Sequence, residues 1–209
     1  MTDWRTISLR DKYFTVHGFE DISNAIVRDN DFYEHEILDY LAENYPIHKR
    51  IIDVGANIGN HTVFFSRFLK YDSIVAFEPD FENYAILTKN LRLNEAKNVH
   101  PVNAALGNYN GTINLFLNNR NFGMHQVMNE PGGKPVPIYT LDISGFDDVT
   151  LIKIDVEYYE PQVLEGAKET IERCHPLILI EDVDLKYADI LEGYKLLQAF
   201  PHYRTYLYG

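Results

Sequence analysis

The chain has 209 residues, enough for one domain with a full core, and carries a formal charge of −12. That acidity, with a pI near 5.0, argues against a nucleic-acid partner, because phosphate contacts need a basic surface. A lone cysteine, Cys174, excludes an internal disulfide framework and fits a reducing cytoplasm; no apolar run is long enough to span a membrane, and Met1-Thr-Asp-Trp4 has no signal-peptide pattern.

Residues 5–28 predict two or three short strands, clearest at Tyr13-Phe-Thr-Val16 and broken at Gly18 and Asp21. A helix is expected from Asp31 to Asn44, with Asp31 as N-cap, acids in its first turn, Ile37, Leu38 and Leu41 on one side, and Pro46 ending it. Residues 1–46 thus read as a small addition to a core at 47–209, together one domain. Ile51-Ile-Asp-Val54 then predicts a buried strand that runs through Gly55-Ala-Asn-Ile-Gly59 into a helix from His61 to Leu69. Strand, small-residue turn and helix N-terminus place unpaired N–H groups beside a cavity suited to a nucleotide-like ligand.

A second strand, Ser73 to Phe77, closes in Glu78, followed by a helix over Phe81–Leu93 and a third strand over Asn98–Leu106. Strand alternating with helix means an α/β chain with a doubly wound, mostly parallel sheet. Gly111 to Leu117 alternates like an added strand. Residues 118–135 are polar and rich in Gly and Pro, and read either as a lid or acceptor-binding loop, with Arg120, Asn121 and His125 its polar contacts, or as a plain surface loop. Val149 to Val156 predicts another buried strand, which runs out in Asp155-Val-Glu157. Those two carboxylates share a face for as long as the strand stays extended. A helix over Glu160–Ile171 has Pro161 in its first turn, and the strand Pro176–Asp182 brings Glu181 and Asp182 to the same sheet edge. The last segments read as a helix near Ala188 to Phe200 and a strand from His202 to Tyr208. That leaves the sheet edge shortened, completed by the 111–117 strand, or capped by a partner chain, as in a homodimer.

The turn at Gly55 lacks the G-x-G-x-x-G order of dinucleotide sites. Glu78 alone does not choose its ligand, since NAD and S-adenosylmethionine (SAM) proteins both place a carboxylate there for ribose hydroxyls. The chain resembles the FkbM-type SAM-dependent methyltransferases in Asp53-Val-Gly-Ala-Asn-Ile-Gly59, Ala76-Phe-Glu-Pro79, Asn103-Ala-Ala-Leu-Gly107, Tyr139-Thr-Leu-Asp142 and Ile152-Lys-Ile-Asp-Val-Glu157, then Glu160 and Val163-Leu-Glu-Gly166. These occur in family order. The resemblance implies a Rossmann-like methyltransferase fold in which Asp53, Gly55, Ala56, Asn57, Gly59, Glu78 and Pro79 hold SAM and Asn103 and Ala104 lie near the adenine. It also implies a Tyr33-Glu34 pair that lies over the cofactor or simply opens a solvated acidic helix.

The reaction class it implies is transfer of a methyl group to a hydroxyl of a small molecule or glycan, with S-adenosylhomocysteine (SAH) as co-product. Asp155, Glu157 and Glu181 are then the candidate catalytic acids, as base or as hydrogen-bond partners of the acceptor. Alternatively Asp155, Glu181 and Asp182 hold a Mg²⁺-like ion, or the acids cap strands and helices; a divalent metal is possible but not assigned. The sequence departs from the family at Tyr158, where FkbM-like chains carry glycine, and Tyr158 and Tyr159 are expected to shape the acceptor pocket. Two rivals stand beside this reading, with a protein-modifying methyltransferase as a weaker third. An NAD-dependent oxidoreductase is disfavoured by Asn57 and by the lack of a Tyr-x-x-x-Lys pair, whereas a SAM-binding module without activity is left open by Tyr158.

Overall fold

The computed structural model describes residues 4–17, 21–118, 125–182, 186–187 and 190–209. The chain opens with an antiparallel hairpin, β1 (Trp4–Leu9) and β2 (Lys12–His17). Of the two or three strands expected over 5–28 two form, and the remainder is a helix, α1 (Asp21–Asp29), because its apolar residues Ile22, Ala25 and Ile26 recur at helical spacing and bury one face. Helix α2 (His35–Asn44) starts later than Asp31. Asp31 is engaged by Arg10, whose Nε lies 2.6 Å from Oδ1, and Glu34 takes the cap position in the left-handed region at φ 59°.

The core follows as β3 (Arg50–Val54), α3 (Asn60–Phe68), β4 (Ser73–Phe77), α4 (Phe81–Leu93), β5 (Val99–Val102), then β6 (Ala105–Leu106), β7 (Gly111–Phe116), β8 (Gln126–Met128) and β9 (Lys134–Tyr139). It continues as β10 (Val149–Ile154), α5 (Glu160–Glu165), α6 (Lys168–Cys174), β11 (Leu177–Glu181), β12 (Tyr194–Ala199) and β13 (Tyr203–Tyr208). Seven strands form one sheet in the order β12-β13-β11-β10-β3-β4-β5, with the five from β5 to β11 parallel and β13 antiparallel to both its neighbours. Its central strands are near-continuous apolar runs because both faces are covered. Ile52, Val54, Ile152, Ile154, Ile178 and Ile180 pack one way with α5 and α6, while Ile51, Leu151, Leu177 and Leu179 pack the other way with α2, α3, α4 and the N-terminal hairpin.

Four sequence expectations are corrected. Residues 194–199 of the expected last helix form β12, paired with β13, while Ala188 lies outside the described residues. The chain therefore completes its own sheet edge with a hairpin. Strand β7 contributes nothing to that edge; it joins a separate sheet, β6-β9-β7-β8. The 118–135 stretch is not one loop, since it contains β8 and the start of β9. The expected 160–171 helix divides at Gly166-Ala167, where a Cβ on Gly166 would stand 1.8 Å from the Gly107 carbonyl oxygen, so glycine admits the close packing that the bend requires. No helix among the described residues is long and apolar enough to cross a membrane.

Candidate functional site

Strand β3 has β4 on one side and β10 on the other, so the chain's winding reverses beside it, and a crevice opens at the carboxyl ends of these strands. The cavity there measures about 390 Å³. Its first wall is the turn after β3. Gly55, Asn57 and Gly59 all have positive φ, 75°, 50° and 92°, and the Gly55 and Ala56 N–H groups donate to the Phe77 carbonyl at 3.0 and 2.9 Å. A Cβ on Gly55 would lie 1.8 Å from the Asp155 carbonyl oxygen, so this position accepts only glycine.

Glu78 is tied to the same turn. Its Oε2 accepts the Asn57 N–H and its Oε1 the Asp80 N–H, both at 2.8 Å, and with the residue 5% exposed, burial pushes its carboxyl up to about 7. Asn103 acts from behind: its Nδ2 donates to the Glu78 and Pro79 carbonyls at 2.8 and 3.0 Å, fixing that loop, whereas Pro79 and Ala104 line the cavity. Asp53 does not reach the cavity. It is buried beneath the turn, accepting the Thr62 hydroxyl and lying 3.3 Å from Lys153 Nζ.

Lys153 lines the cavity, and sequence reasoning passed it over. It stands in the middle of a central apolar strand and donates to the Gly55 carbonyl at 2.8 Å and the Val54 carbonyl at 3.3 Å, with Asp155 Oδ2 at 3.6 Å. The signal was present: a lysine between Ile152 and Ile154 must find carboxylates or destabilise the strand.

The opposite wall is acidic. Carboxylate oxygens of Asp155, Glu157 and Glu181 lie within 4.8 Å of one another. The extended strand is not what brings the first two together, since β10 ends at Ile154 and the chain turns, with Glu157 and Tyr158 both in the left-handed region at φ 54° and 74°. Burial and then the charge of Asp155 push the carboxyls of Glu157 and Glu181 up to about 7 and about 8. Asp182 is not part of this group: it is buried and accepts the Tyr206 hydroxyl at 2.9 Å and the Lys186 N–H at 2.8 Å, so the expected set of Asp155, Glu181 and Asp182 does not form.

The N-terminal addition closes the site. Asn60 holds Tyr33 by two hydrogen bonds, donating to its carbonyl at 2.9 Å and accepting its N–H at 3.0 Å, which sets Glu34 over the cavity. Burial, then Asp155, pushes the Glu34 carboxyl up to about 8. His61 stands 3.5 Å from Glu34, its imidazole held neutral by burial, and Tyr203 donates its hydroxyl to Asp155 Oδ2 at 2.7 Å. Neither His61 nor Tyr203 had a motif to mark it.

Of the expected acceptor contacts, Tyr158 borders the cavity while 75% exposed, and His125 lines it, its Nδ1 accepting the Asn118 N–H at 3.0 Å. Tyr159 turns into the core, where its ring packs over Gly107, and takes no part in the pocket. Arg120 lies outside the described residues.

A family model described as the methyltransferase FkbM domain matches residues 53–208. Methyltransferase sdnD of Sordaria araneosa is 28% identical over 174 residues, covering 62% of this chain and 64% of that protein. Among solved structures, methyltransferase FkbM from Methylobacillus flagellatus KT aligns with a TM-score of 0.57 and 21% identity over 77% of this chain and 44% of that one. A Geobacter sulfurreducens methyltransferase gives 0.56 and 13% over 90% and 87%, and M. jannaschii TYW2 in complex with AdoMet gives 0.55 and 14% over 99% and 84%. These structures share the expected Rossmann-like methyltransferase fold. The chain spans under two thirds of the sdnD and M. flagellatus proteins.

Proposed function

Because the chain belongs to the FkbM methyltransferase family, we propose that it is a SAM-dependent O-methyltransferase acting on a hydroxyl of a small molecule or glycan. The observation that carries the reading is that a glycine cradle and a ribose-type carboxylate, Gly55 and Glu78, open on the same cavity as the carboxylates of Asp155, Glu157 and Glu181.

The residues suit SAM. Gly55 lets the turn pack directly on the Asp155 backbone at the cavity's edge, and each Glu78 oxygen holds one N–H and keeps a lone pair for a ribose hydroxyl. Gly55, Ala56, Asn57, Glu78, Pro79 and Ala104 would hold it, with Asp53, Gly59 and Asn103 shaping the cradle from behind. The bound cofactor supplies a methyl group made electrophilic by its sulfonium.

What the chain itself must do is align the acceptor oxygen and remove its proton. Asp155 is committed to Lys153 and Tyr203, which fixes its position. Glu181, whose carboxyl sits near 8, is matched to take the hydroxyl proton near neutral pH; Glu157 is the second candidate. Tyr158 and His125 border the space left for the acceptor, and Arg120 stays in the proposal on the sequence alone. The test is calorimetric titration with SAM, SAH and NAD, then mass analysis of hydroxyl acceptors incubated with SAM. Binding of both adenosyl ligands and not NAD is expected, and binding of NAD alone sinks the reading.

A further inference from the structure

We propose that the acceptor offers its hydroxyl from an uncharged apolar ring system, and that a second cavity, between the start of α2 and the β12–β13 turn, holds those rings. The inference rests on the methyltransferase reading of the first cavity and deepens it, choosing an apolar small molecule over a glycan.

The first observation is the order of residues along the sheet edge. Ala104, Glu78 and Gly55, at the ends of β5, β4 and β3, put the proposed cofactor positions on one side, and Asp155 and Glu181 follow at the ends of β10 and β11. Tyr203 comes next, opening β13 and pairing directly with Glu181. The second cavity, about 240 Å³, shares Tyr33, Glu34, His202 and Tyr203 with the first, whereas Gly55, Glu78 and Ala104 do not line it. An acceptor whose hydroxyl meets Glu181 therefore has the cofactor on one side and the second cavity on the other.

A second observation is what this cavity offers. Ile37, Phe200 and Pro201 line it, and its surface is mostly carbon. The Tyr203 hydroxyl is already engaged by Asp155 at 2.7 Å. A sugar would carry in hydroxyls that find few partners, at a cost for each, whereas an apolar ring gains by leaving water. A cavity of about 150 Å³ holds a benzene ring, so this one has room for two fused rings. Asp29 and Glu36 also line it and repel an anionic acceptor. The walls are held in place beforehand. The Phe200 N–H donates to the Tyr203 carbonyl at 2.8 Å, the Asp182 N–H donates to the His202 carbonyl at 3.0 Å, and the Phe200 ring stands edge-on to Tyr40 with centroids 5.5 Å apart. Opposite them Asn60 clamps Tyr33, so little ordering remains for binding to impose.

The experiment saturates the full chain with SAH and then titrates it by calorimetry with 2-naphthol and with methyl glucoside. Naphthol is expected to bind at least tenfold more tightly, and Phe200→Ala to weaken it about tenfold with SAH affinity unchanged. In the unaltered protein, ring protons of bound naphthol should show nuclear Overhauser contacts to the Ile37 methyls, a readout that stands even where the variant fails to fold. Equal or tighter binding of the glucoside, no binding of naphthol, or naphthol contacts that leave out Ile37 overturns the proposal. So does a folded Phe200→Ala that keeps its naphthol affinity. Failure of SAH to bind is read separately in the first step: it removes the methyltransferase reading, and the acceptor assignment falls with it.

Discussion

Lys153 holds its ammonium 3.3 Å from Asp53 Oδ1, with the two side chains 1% and 0% exposed. Burial works to lower the lysine's pKa, but Asp53 and then Asp155 outweigh it and the pKa is raised, so the lysine keeps its charge. The same ammonium binds the Gly55 carbonyl and lies beside Asp155, which ties the Gly55 turn to the acidic wall. Removing one partner strands a buried charge at a cost of about 3–5 kcal/mol, whereas removing both costs far less. Lys153→Met should lower the urea midpoint accordingly, and adding Asp53→Asn should recover much of the loss. A double variant as unstable as the single one would show that the pairing is not what the lysine supplies.

The acidic wall sets an unusual pH dependence. Glu34, Glu78, Glu157 and Glu181 have folded pKa values of about 8, 7, 7 and 8, all raised first by burial, so the folded state holds protons that the unfolded chain has released. Stability from such groups is present at low pH and lost as pH rises through the folded values. His48, His61 and His125, held low by burial, contribute with the opposite sign, but only as pH falls toward the unfolded histidine value of about 6.5. Between pH 7 and 8.5 the acids therefore dominate, and the ligand-free protein should lose on the order of 1–3 kcal/mol. Thermal unfolding across that window checks the sign, and Glu34→Gln should flatten the slope; a rising melting temperature would contradict it.

Much of this architecture was legible because local pattern and tertiary role agree. Ile51-Ile-Asp-Val54 followed by Gly55 and Gly59 can hardly be anything but a buried strand entering a tight turn, and Phe81–Leu93 forms as expected, with Asp80 capping it by accepting two N–H groups. The errors fall where long-range pairing decides. Tyr194 to Ala199 lies on β13, which supplies register that no local spacing reveals, and β12 is half exposed, so its pattern carries little signal. The site divides in the same way. Gly55 and Glu78 follow from the motif, but the meeting of Glu157 with Asp155 and Glu181 depends on two successive left-handed residues, and neither Glu157 nor Tyr158 announces that conformation. Tyr203 and His61 reach the cavity only because β13 and α3 are packed beside it.

Gly55→Ala gives a sharp test of the cradle. The added methyl would meet the Asp155 carbonyl oxygen at 1.8 Å, and the backbone there is at φ 75°, so the turn and β10 must separate. Backbone strain of this kind costs about 1–3 kcal/mol before the clash is counted. The expected result is loss of SAH affinity by more than tenfold together with a lower unfolding midpoint. Unchanged affinity in a folded variant would mean that ligands bind elsewhere in the cavity.

Tyr158 separates strain from recognition. At φ 74° a non-glycine residue pays about 1–2 kcal/mol, and glycine returns some of that gain through the entropy of the unfolded chain, about 0.5–1 kcal/mol. Tyr158→Gly should therefore stabilise the protein by no more than about 1 kcal/mol. That explains why glycine suits this position, and it leaves tyrosine in need of a reason. The ring is 75% exposed on the cavity rim, so its packing contributes little, and under the proposed function it walls the acceptor space. Steady-state kinetics should show the acceptor KM rising severalfold with the SAM KM unchanged. If the variant gains stability and keeps its acceptor KM, the ring has no part in recognition and the strain at Tyr158 serves no purpose that this site accounts for.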